Sequence, residues 1–136
     1  MTENKVSEKS FAVVGHSVPK VDALSKVLGR AVYSEDMAFP GMLYGRVLRA
    51  GIPHALIKGM DVSQARAMRG VACVLTAQDI KGENLFGIAF QDQPALASDK
   101  VRTIGDPVAL VAAESDEIAR EAVKAIRVTY EELPVI

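Results

Sequence analysis

The sequence predicts an α/β (α+β) domain, one mixed sheet carrying two main helices, and three observations point there. Short β-branched runs alternate with amphipathic stretches in the order strand, strand, helix, strand, then strand, helix, strand, an alternation that stacks helices on a sheet. The turn signals Pro40-Gly41, Gly51-Ile52-Pro53 and Gly105-Asp106-Pro107 separate these pieces. The 136 residues suffice for one core, and neither a repeat nor a low-complexity tract divides them.

Taken in order, residues 1–10 are polar and aperiodic and read as a flexible tail, leaving 11–136 for the domain. Residues 11–38 are broken by Gly15, Pro19 and Gly29 and read as extended chain, with a short strand near 31–33. After Pro40-Gly41, residues 42–50 alternate as a strand, and 55–60 form a second. Asp61 with Gln64 has the form of a capping box that starts a helix over 62–69, and Gly70 suits its left-handed end. Residues 71–75 are short and apolar, like a buried strand. Thr76 with Asp79 repeats the capping pattern for one more helical turn.

Residues 82–103 form a long irregular connection, of the kind that carries function or meets a partner. A continuous apolar strand follows at 108–113. Ser115 then caps a helix on which Ile118, Ala119, Ala122, Val123 and Ile126 share one face. A closing strand spans 126–130, and Pro134 ends the pattern.

Composition excludes several classes of function. With 16 basic and 17 acidic residues the net charge is -1, which gives no electrostatic pull toward nucleic acid or an anionic membrane. No apolar run approaches the roughly 20 residues of a membrane-spanning helix, and the N-terminus lacks a secretory signal. A single cysteine cannot close an internal disulfide, so a cytoplasmic domain is expected. Neither G-x-G-x-x-G, a P-loop, C-x-x-C, H-E-x-x-H nor G-x-S-x-G occurs, and no active site assembles from these residues alone.

A few residues invite a closer reading. Cys73 lies within Val71–Leu75 and reads as an inert core thiol. His54, in a loop after Pro53, is a candidate contact to a partner or substrate channel; the plainer reading is a bond to local backbone. His16 reads as exposed. Gly105-Asp106-Pro107 reads as a tight turn rather than an anion loop, because it opens onto a strand and not onto a helix N-terminus. The stretch FGIAFQDQP, residues 86–94, carries Phe86, Phe90, Gln91 and Gln93, which could line an interface or channel or cover a sheet edge.

A family resemblance rests on many short pieces in order. Val18-Pro19-Lys20-Val21-Asp22-Ala23 and Lys26-Val27-Leu28-Gly29-Arg30-Ala31-Val32-Tyr33 resemble the opening of the molybdenum-binding large subunit of the xanthine dehydrogenase and aldehyde oxidase family. The likeness continues through Pro40-Gly41-Met42-Leu43-Tyr44, Arg49, Pro53-His54-Ala55, Gly70-Val71 and Leu75-Thr76-Ala77. It resumes at Asp99-Lys100-Val101-Arg102, Gly105-Asp106-Pro107-Val108-Ala109 and Val128-Thr129-Tyr130-Glu131-Glu132-Leu133-Pro134, so it covers nearly everything from about residue 14 onward.

The resemblance implies an α/β hammerhead domain, an N-terminal domain or split subunit of a molybdopterin-dependent hydroxylase. It also implies that molybdopterin, with its glycine-rich loops and glutamate base, sits on larger neighbouring domains, and that [2Fe-2S] clusters and FAD lie on further domains or subunits. No catalytic, cofactor-binding or metal residue carries over, so the chain is expected to be inactive alone and to dock on the molybdenum-binding polypeptide. The competing reading is a free-standing small-molecule-binding or interaction module with the same fold, for which a homodimer is open.

Overall fold

The computed structural model describes residues 11–135, so the tail expected over residues 1–10 lies outside the described residues. The chain divides after Ala38 into two units. In the described part of the first, the strand expected near 31–33 does not form. Instead there is one short helix, α1 (Ala23–Val27), and a 3₁₀ turn at Ser34–Asp36. The Ser25 hydroxyl and the Ala23 and Lys26 N–H groups satisfy local carbonyls, which favours a helical turn over extended chain. No residue from 11 to 38 is buried.

The second unit holds the core. Its strands are β1 (Tyr44–Arg49), β2 (Ala55–Asp61), β3 (Val71–Thr76), β4 (Leu85–Phe86), β5 (Gln93–Pro94), β6 (Lys100–Val101), β7 (Pro107–Ala113) and β8 (Arg127–Glu132). Two helices join them, α2 (Ser63–Ala67) and α3 (Asp116–Ala125). The α/β class therefore holds, but the single mixed sheet is corrected. Among the described residues there are two three-stranded sheets, ordered β1-β7-β3 and β6-β2-β8, and a two-stranded ribbon β4-β5, and every pairing among them is antiparallel. The physical reason lies in the connections. Runs as short as 55–61 and 107–113 can return beside a strand far away in sequence, and local periodicity carries no trace of that choice.

α3 forms as its sequence predicts. Ser115 Oγ accepts the Ile118 N–H at 3.2 Å, Asp116 and Glu117 occupy the first turn, and Ala119 and Ala122 are fully buried. Asp116 also pairs with Arg46 of β1 and, at 2.7 Å, with Arg120 one turn along, tying the helix to the sheet. α2 is shorter than expected. The Asp61 carboxylate accepts the Ser63 N–H at 2.9 Å, an Asx turn in place of the reciprocal box, and the helix ends before Gly70, where φ is +85°.

Two small cores result. Ala65, Val74, Ala109, Val111, Ala122 and Ile126 make one; Ala50, Val101 and Val108 make the other, and Met60 and Val128 pack against both. The largest fully buried side chains are only Val101, Val108 and Val111.

Candidate functional site

The stretch singled out in the long connection folds as a hairpin. Leu85 pairs with Pro94 and Phe86 with Gln93. Asn84 clamps the base: its Nδ2 donates to the Leu96 carbonyl at 2.7 Å, its Oδ1 accepts the Leu96 N–H at 3.0 Å, and its own carbonyl accepts the Ala95 N–H at 2.7 Å. Leu96 and Ala97, both buried, anchor the returning strand. At the tip, a Cβ on Gly87 would overlap the Phe90 carbonyl, so only glycine lets the chain turn there. The result is an apolar tip held away from the core, with Ile88 fully exposed and Phe90 79% exposed. Four of the five candidate residues, Phe86, Phe90, Gln91 and Gln93, thus share one hairpin.

His54 lies elsewhere. Its Nδ1–H donates to the Pro134 carbonyl at 2.7 Å and its own carbonyl accepts the Leu133 N–H at 3.0 Å, which pins the chain beyond β8. It lines a depression with Pro53, Arg102, Thr103, Ile104, Pro134 and Val135, none of them from the hairpin. His16 is exposed, as expected.

Gly105-Asp106-Pro107 is a turn held from within. The Asp106 carboxylate accepts the Arg102 and Thr103 N–H groups at 2.6 and 3.1 Å and the Thr103 hydroxyl at 2.8 Å. Burial alone would raise its pKa, but these donors outweigh burial and hold it below the ordinary carboxylate value. The Gly105 carbonyl accepts from Arg49 at 2.7 Å. Every polar group of the turn that has a partner finds it inside the protein, which suits a structural corner.

Cys73 corrects the expectation of a core thiol, because it is exposed. β3 is an edge strand, and its side chains alternate. Val74 turns into the core, so Cys73 and Leu75 must turn outward. The outward face they join has no separate mark in the sequence. Across the three strands Val47, Leu110 and Leu75 stand in register, and each is 36–41% exposed. An all-apolar run such as 107–113 hides this face, since nothing in it marks which alternate residues point outward.

Among the described residues no three His, Cys, Asp or Glu side chains approach closely enough to share an ion, and no buried side-chain polar atom lacks a partner. What the geometry offers is contact surface. All four phenylalanines, Phe11, Phe39, Phe86 and Phe90, are exposed, while valine is the largest residue fully buried. This inverts the usual order of burial.

Residues 28–134 match the family described as aldehyde oxidase and xanthine dehydrogenase, a/b hammerhead domain. The chain is 47% identical over 125 residues to the nicotinate dehydrogenase large molybdopterin subunit of Eubacterium barkeri, covering 92% of this chain and 29% of that one. It is 49% identical over 115 residues to a probable xanthine dehydrogenase subunit of Bacillus subtilis, covering 85% of this chain and 15% of that protein. Among solved structures, the aldehyde oxidoreductase of Desulfovibrio desulfuricans superposes with a TM-score of 0.83 at 37% identity, over 88% of this chain and 15% of that one. The Cu,Mo-CO dehydrogenase gives 0.83 at 36%, over 89% and 16%. The chain therefore spans less than a third of the relatives it matches, and it belongs to the aldehyde oxidase and xanthine dehydrogenase family as an a/b hammerhead domain.

Proposed function

We propose that this chain is the hammerhead domain or a split subunit of a cytoplasmic molybdenum hydroxylase, docking on the molybdenum-binding polypeptide and without catalysis of its own. One observation carries the reading: all four phenylalanines are exposed, while the largest fully buried side chains are valines. Exposed apolar side chains of this kind suit contact with another polypeptide. Molybdopterin would sit on that larger partner, and [2Fe-2S] clusters and FAD on further domains or subunits. His54, Phe86, Phe90, Gln91 and Gln93 are the candidate contacts, with the hairpin tip either packing at the interface or walling the substrate path.

The test is to tag the chain in its native host, capture it gently, and measure molybdenum and the mass of what accompanies it. A large polypeptide with near-stoichiometric molybdenum is expected. The double variant Phe86→Ser, Phe90→Ser should lose that partner yet keep its melting temperature, since neither side chain belongs to the core. A wild-type chain recovered alone, with no molybdenum, overturns the reading.

A further inference from the structure

We draw no further inference here: the strongest candidate, the apolar outer face of the β1-β7-β3 sheet on which Val47, Leu110 and Leu75 stand in register, carries nothing beyond the docking reading because nothing in the structure shows what covers it.

Discussion

Gly70 carries the corner between α2 and β3, and replacing it with alanine meets two separate costs. Its φ of +85° lies in the left-handed region, which costs a non-glycine residue about 1–2 kcal/mol. Its carbonyl accepts the Glu114 N–H at 2.8 Å, so the backbone cannot relax without disturbing the corner that leads into α3. An added Cβ would also stand 2.7 Å from Ile118 Cδ1. That contact must open by several tenths of an ångström, and driving Ile118 off its rotamer costs about 0.5–1.5 kcal/mol. The sum is about 1.5–3.5 kcal/mol, or a fall in Tm of about 10 °C for a chain of this size. Urea unfolding followed by far-UV circular dichroism measures it directly. Gly59→Ala is the control: φ is not positive there and nothing lies within 4 Å of the new methyl, so stability should hold or rise by about 0.5 kcal/mol. A Gly70→Ala protein within about 0.5 kcal/mol of wild type, or a Gly59→Ala protein more damaged than it, would refute the geometry.

Three shorter predictions accompany it. Val111→Ala removes two carbons from a site 2% exposed at the centre of the larger core and should cost about 2 kcal/mol in the same denaturation assay, whereas Leu110→Ala, on the outer face, should cost distinctly less. Asp106 has its folded pKa below the unfolded value, so the stability it contributes is present above about pH 4 and is lost as pH falls through the folded pKa. Melting from pH 6 down to pH 2 should therefore fall less steeply for Asp106→Asn than for wild type, and equal slopes would show that the turn does not hold the carboxylate as described. Cys73 should react with a thiol reagent in native buffer at one equivalent per chain, and a requirement for denaturant would place β3 the other way out.

The elements can be read locally because each is signalled locally. Ser115 and the spacing of Ala119 and Ala122 specify α3, and the alternation before Gly51 specifies β1. Their assembly cannot be read that way. β7 takes β1 on one side and β3 on the other, while β2 takes β8, pairings that span tens of residues and leave no periodic mark. The same limit explains Cys73. Five consecutive apolar residues from Val71 to Leu75 suggest burial on both faces, yet an edge strand in a three-stranded antiparallel sheet buries one. The hairpin is legible as a place of interest but not as a shape, since its form depends on the Asn84 clamp and on Gly87 clearing the Phe90 carbonyl.

The absence of tryptophan and the scarcity of aromatics point to a core of valine, alanine, leucine and isoleucine; the core that forms is mostly valine and alanine, and that has a consequence for binding. Burying a valine contributes roughly 1.5 kcal/mol or somewhat more, against larger gains for phenylalanine or leucine, which here lie mostly outside. Burial of Phe86, Phe90 and the Val47–Leu110–Leu75 row against a partner would add to stability in proportion to affinity, by about 2.7 kcal/mol at a hundredfold excess over Kd. The bound chain should accordingly melt well above the free one. If the two melt alike, the exposed phenylalanines are not what the partner covers.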